Sequence, residues 1–157
     1  MNENTHHKPS PQLGTTYIAK SKNTSAELTF KYDLNGHFVS FSVNETLNEE
    51  QTKWLFQTDV FPYSENRMSE WRKKYAESFT VKQYKTDFSF DNLWNIYNHK
   101  LAKQDAQKAF NKLTEDDKIK CFIGVFPYDK YLAKSKTAKA HLSRYINGRY
   151  FENEYGH

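Results

Sequence analysis

Glu27-Leu28-Thr29-Phe30-Lys31-Tyr32-Asp33-Leu34-Asn35-Gly36-His37-Phe38-Val39-Ser40-Phe41-Ser42-Val43 reads as two alternating apolar and polar runs joined by Asn-Gly, the preferred two-residue hairpin turn. Such a turn sets the register and pairs Leu34 with His37, Tyr32 with Val39, Phe30 with Phe41 and Leu28 with Val43, all on one face. Thr29, Lys31, Asp33, Ser40 and Ser42 occupy the other face, interrupted only by Phe38, and His37 closes the hairpin. The expectation is a half-buried antiparallel hairpin.

Downstream, Asn48 with Gln51 forms a capping box that opens a short helix to Thr58, with Trp54 and Leu55 on its apolar side. Phe61-Pro62-Tyr63 ends it, and a second helix from Ser64 buries Met68, Trp71 and Tyr75. Residues 79–84 alternate like a strand, which predicts a third member of the sheet, since an isolated hairpin is marginal. From Ser89 the pattern becomes helical: Phe90, Leu93, Trp94, Tyr97 and Leu101 form one stripe, and Ala102, Ala106, Ala109, Phe110 and Leu113 a second. Thr114 and the acids at 115–117 cap a further helix that buries Ile119, Phe122, Ile123 and Phe126. A second Phe-Pro-Tyr at 126–128 is read as its break. A last short helix holds Leu142, Tyr145 and Ile146.

The fold class expected is α+β: an N-terminal antiparallel hairpin or small three-stranded sheet packed on a mainly helical C-terminal half. Residues 1–26, polar and containing Pro9 and Pro11, read as a flexible tail. Residues 27–157 read as a single domain, divided into 27–86 (hairpin, short helices and strand) and 87–157 (a helical basic module). At 157 residues, with 37% hydrophobic and 17% aromatic, the chain is globular rather than disordered, because each buried ring removes a large area from water.

Several function classes are disfavoured. Five glycines spread over the chain form no phosphate loop. The single Cys121 reads as a buried thiol, His6-His7 as solvated, and His37, His99 and His141 stand alone in their segments, so no catalytic residue, metal site or cofactor is expected. Asp116-Asp117 already has a capping explanation. No apolar run approaches the roughly 18 residues of a membrane span, and no signal peptide is evident, so the expectation is a cytoplasmic protein of a bacterial cell with no membrane partner.

Charge is uneven. Residues 1–97 carry 11 Lys/Arg and 12 Asp/Glu, whereas residues 98–149 carry 12 and 5. Phosphate attraction follows local charge, which nominates Lys100, Lys103, Lys108, Lys112, Lys139, Arg144 and Arg149 as nucleic-acid-binding residues. Lys134 and Lys136 accompany them. Tyr128, Tyr131, Tyr145 and Tyr150, interleaved with these cations, suit base stacking or, equally, a core with hydroxyls at its edge.

The run from Phe90 to Glu154 contains Leu93-Trp94-x-x-Tyr97-x-x-Lys100, Ala106-x-x-Ala109-Phe110-x-Lys112-Leu113, and a closing stretch from His141 through Tyr145-Ile146-Asn147 to Phe151-Glu152-Asn153-Glu154. It resembles the C-terminal module of phage and prophage replication proteins of the helicase-loader type, with Leu142 in place of a usual Pro and Phe151 in place of a usual Trp. The N-terminal half looks like small proteins from phages of Bacteroidetes-type hosts. The resemblance implies a non-catalytic replication accessory contacting DNA or a helicase-loader complex. Its alternative implication is a phage inhibitor of host defence, an anti-CRISPR that binds an RNA-guided nuclease or its guide RNA. The partner is nucleic acid or a nucleoprotein complex in either case, and oligomeric state is left open.

Overall fold

A computed structural model describes residues 13–155, and the chain divides into two compact units, one spanning Gln12–Thr86 and the other built from Asp87 onward. Of the tail expected over residues 1–26, residues 1–12 lie outside the described residues, and the part from 15 to 21 is corrected: Thr15–Ser21 is a strand, β1.

The N-terminal unit contains β1, β2 (Glu27–Tyr32), β3 (Phe38–Val43), α1 (Glu49–Leu55), α2 (Glu65–Lys74) and β4 (Phe79–Lys85). The sheet has four strands, not three, in the order β3-β2-β1-β4, with every neighbour antiparallel. Burial alternates along β1, with Thr15, Tyr17 and Ala19 inward. Tyr17 and Ala19 join Leu28, Phe30 and Tyr32 of β2, Leu55 of α1, and Met68 and Trp71 of α2 in one core. The core of the sheet is closed by α1 and α2 of its own unit. Both helices start at the caps read from sequence: Asn48 forms its capping box with Gln51, and the Ser64 hydroxyl accepts from the Arg67 N–H.

The hairpin keeps its expected register from Leu28↔Val43 to Lys31↔Ser40 and then slips, so that Tyr32 faces Phe38 rather than Val39. Asp33 is the cause. Its Oδ1 accepts from the N–H groups of Asn35 and His37, both at 2.9 Å, while the Gly36 N–H donates to the Asp33 carbonyl at 3.0 Å and the Asp33 N–H to the His37 carbonyl at 2.9 Å. The loop is therefore Leu34-Asn35-Gly36, a turn followed by a residue at positive φ, and Gly36 at φ +79 supplies it, giving a bulge in place of the two-residue turn. The slip turns Phe38 toward the rings of Tyr32 and Phe61 and leaves Val39 exposed.

The C-terminal unit contains α3 (Phe90–Tyr97), α4 (Lys103–Asn111), α5 (Glu115–Ser135), α6 (Leu142–Asn147) and a closing 3₁₀ turn at Tyr150–Glu152. Helix α3 ends where Asn98 adopts a left-handed conformation. Its stripe therefore stops at Tyr97 and leaves Leu101 exposed.

Helix α5 departs most from expectation. It runs 21 residues without a break, with Pro127 inside it. A proline in a helix interior costs about 3 kcal/mol. Continuing the helix buries Tyr128 and Leu132, each contributing roughly 1.5–3 kcal/mol, which offsets that loss. The buried positions are Cys121, Phe122, Gly124, Val125, Tyr128 and Leu132. Of the residues expected to be buried, only Phe122 is; Ile123 and Phe126 are exposed. Gly124 lets the closing turn lie directly on α5, since a Cβ there would stand 2.7 Å from Cα of Phe151 and 2.7 Å from the Tyr145 hydroxyl.

Candidate nucleic-acid interface

The C-terminal unit carries all seven nominated basic residues, and the structure separates them into two groups. Four are turned to internal contacts. Lys100 Nζ donates to the Trp94 carbonyl at 2.7 Å and to Asn95 Oδ1 at 3.0 Å, closing the end of α3, and stands 5.1 Å from the centre of the Trp94 ring. Lys103 pairs with Asp91 at 3.4 Å and approaches the same indole, so one tryptophan face holds two of the cations. Lys139 donates to the Tyr97 carbonyl at 2.6 Å, pairs with Asp129 at 2.5 Å and lies 4.2 Å from the Tyr97 ring centre. Arg149 forms a two-pronged bridge to Asp117, at 2.9 and 3.2 Å, and a second to Glu152 at 2.6 and 2.7 Å. The Arg149 guanidinium holds both carboxyls below their ordinary range.

The second group faces outward. Lys108 and Lys112 lie one turn apart on exposed positions at the end of α4, and Arg144 on α6 donates to the Tyr150 hydroxyl at 3.1 Å. None of these three makes an ion pair among the described residues. Helices α4 and α6 pack against each other, which brings their segments together. Lys130, Lys134 and Lys136, on the last two turns of α5 and its cap, are exposed and likewise unpaired among the described residues. Lys130 was missed by the sequence reading, although its spacing of four from Lys134 puts both on one helix side.

The tyrosines follow the core alternative. Tyr97 Oη donates to the Ala140 carbonyl at 2.7 Å, Tyr128 Oη accepts from the Ala140 N–H at 3.1 Å, and Tyr145 Oη donates to the Cys121 carbonyl at 2.9 Å. Their rings touch one another and Tyr150. Of the four nominated for stacking, only Tyr131 is largely exposed. Burial pushes the Cys121 thiol up to about 12, which keeps it protonated and unreactive.

Two histidines that stand alone in sequence are brought together: the rings of His99 and His141 lie 5.4 Å apart, centre to centre. Among the described residues no three His, Cys, Asp or Glu side chains converge on a common point. No described helix is long and apolar enough to cross a membrane.

The geometry and the similarity to known proteins meet in this unit. Residues 85–149 match the family described as Legionella vir region protein LvrA C-terminal domain. The matched stretch is 65 residues, less than half of the chain, and runs from the end of β4 through α6. No curated protein and no solved structure matches the chain. The match overlaps the Phe90–Glu154 run that resembles phage replication proteins over residues 90–149; residues 85–89 precede that run, and its closing turn lies beyond the match. The family matched is a bacterial one, and the match by itself shows no phage or helicase-loader link. The closing signature has a packing role here, with Leu142, Tyr145, Ile146 and Phe151 buried and Glu152 bonded to Arg149.

The inward group gives a prediction that separates structure from binding. Lys139→Met keeps the aliphatic stem but leaves the Tyr97 carbonyl and Asp129 without the ammonium. Asp129 is 43% exposed, so solvent screens part of the pair. The expected loss is about 1–2 kcal/mol, seen as a fall of several degrees in the thermal midpoint. Lys108→Met and Lys112→Met, at exposed sites, are expected to stay within roughly 0.5 kcal/mol of the parent. Equal melts for all three variants would show that Lys139 is not tied down.

Proposed function

We propose that this is a non-catalytic binding protein of the bacterial cytoplasm whose C-terminal unit engages nucleic acid, alone or within a nucleoprotein complex. The observation that carries this reading is the surplus of outward cations. Lys108, Lys112, Lys130, Lys134, Lys136 and Arg144 make no ion pair among the described residues, and the last four lie in residues 118–149, which contain a single acid, Asp129. Unpaired surface cations release counterions from a phosphate backbone, and that release drives sequence-independent binding. The buried tyrosines argue for backbone contact rather than base stacking.

On this reading, the replication-protein resemblance supports a replication accessory that contacts DNA or a helicase-loader complex. The same basic surface suits an inhibitor of host defence that grips an RNA-guided nuclease or its guide. The separate N-terminal unit, with its own core, supports that second role, because it gives the basic unit a second body with which to hold a protein. Pulldown from host cells distinguishes them by whether helicase and primase components or a nuclease are retained.

The direct test is binding to labelled single-stranded DNA and RNA across a salt titration. Four phosphate contacts predict a log–log slope of roughly −3. Lys108→Gln, Lys112→Gln and Arg144→Gln together are expected to flatten it by about 2, at 0.7 per contact removed, with little change in melting. Absence of binding at low salt would overturn the nucleic-acid reading and leave a protein partner.

A further inference from the structure

Helix α5 is apolar on two sides. Its core side is Cys121, Val125, Tyr128 and Leu132, spaced four, three and four residues apart and buried. On the opposite side, Asp116, Ile119, Ile123, Phe126, Lys130 and Ala133 recur at three and four in turn, the repeat of a coiled-coil seam. At 100° per residue this second line is centred half a turn away from the first. Ile123 is 49% and Phe126 40% exposed, Ile119 is half-buried, and Asp116, Lys130 and Ala133 are exposed. The seam is about 27 Å long at 1.5 Å per residue.

From this seam we propose that α5 is the interface of a homodimer, two copies pairing antiparallel along it. The charge pattern selects the occupant. The seam begins acidic, with Asp116 beside Glu115, is apolar in its middle, and ends basic, with Lys130 beside Lys134. A uniformly acidic partner would be repelled at the first end and a uniformly basic one at the last. A second copy laid antiparallel sets Ile123 against the partner's Phe126, and Phe126 against the partner's Ile123. That register brings Asp116 next to the partner's Lys130 and Lys134, and the two-fold axis repeats each contact. A parallel copy would set Lys130 against the partner's Lys130, so the same charges exclude that arrangement. Lys130 and Lys134 serve both this pairing and the nucleic-acid reading, whereas Lys108, Lys112 and Arg144 lie outside the seam and separate the two.

Sedimentation equilibrium of the full chain, from low to high micromolar concentration, tests it. The parent is expected to double in mass. Ile123→Glu is expected to weaken association at least about tenfold while melting like a folded protein, because the residue it replaces faces water; Phe126→Gln is the second such variant. Asp116→Lys alone and Lys130→Glu with Lys134→Glu alone should each weaken the dimer, and mixing the two proteins should restore it as a heterodimer. The Lys108, Lys112 and Arg144 variant should associate like the parent. A parent that stays monomeric throughout, an Ile123→Glu protein that still dimerises, or a mixture that fails to recover would overturn the proposal.

Discussion

Trp94→Ala is expected to destabilise the C-terminal unit by roughly 3–5 kcal/mol, the range of large aromatic truncations in cores. Trp94 is 8% exposed. Its ring stacks with Phe90 at 6.0 Å, and the ammonium groups of Lys100 and Lys103 lie over it at 5.1 and 6.0 Å. Removing the indole opens a cavity beside Phe90 and also takes away the surface on which two cations rest. Against a typical total of about 5–15 kcal/mol, that loss is a large share of the stability. Urea denaturation followed by far-UV circular dichroism measures it, because α3 to α6 supply most of the helix. Leu101→Ala, at a 53% exposed position beyond the end of α3, is expected to change little. An unchanged midpoint for Trp94→Ala would place the indole at the surface, where it could stack on a base.

What the sequence made legible was local. Asn48 with Gln51, Ser64, Ser89 and Thr114 each cap the helix that they announce, because a cap is settled by residues three positions apart. Strand β1 was hidden because its inward residues are Thr15, Tyr17 and Ala19; one ring and two small side chains make a faint alternation in polar surroundings. Pro127 was read as a stop because a proline's local penalty is visible in sequence, while the burial of Tyr128 and Leu132 that overcomes it is not. The apolar face expected for α5, Ile119, Phe122, Ile123 and Phe126, shares only Phe122 with the face that the core takes. Chain-wide counting of cations found the basic unit but not the partners that neutralise part of it. Asp117 is 32 residues from Arg149, and Asp129 meets Lys139 only once the turn after α5 is formed.

Phe30→Ala is expected to cost the N-terminal unit about 3–5 kcal/mol, while Val39→Ala stays within roughly 0.5 kcal/mol. The contrast tests the bulge as well as the core. Phe30 is fully buried, with the rings of Phe41, Trp71 and Phe61 at 5.2, 5.8 and 5.9 Å, so it joins β3, α2 and the segment between the two helices. A two-residue Asn-Gly turn would put Val39 on that same inward face and make its truncation costly. The loop formed by Asp33 and Gly36 instead sets Phe38 against the Phe61 ring at 5.3 Å, at 37% exposure, and leaves Val39 at 47% exposure. Phe38→Ala should therefore cost more than Val39→Ala, in the reverse of the order that plain alternation gives. Chemical denaturation of the three variants, followed by the fluorescence of Trp54 and Trp71, reads the order directly. A Val39→Ala protein that loses as much as Phe38→Ala would mean that the strands pair without the slip, and that Asp33 does not set the turn.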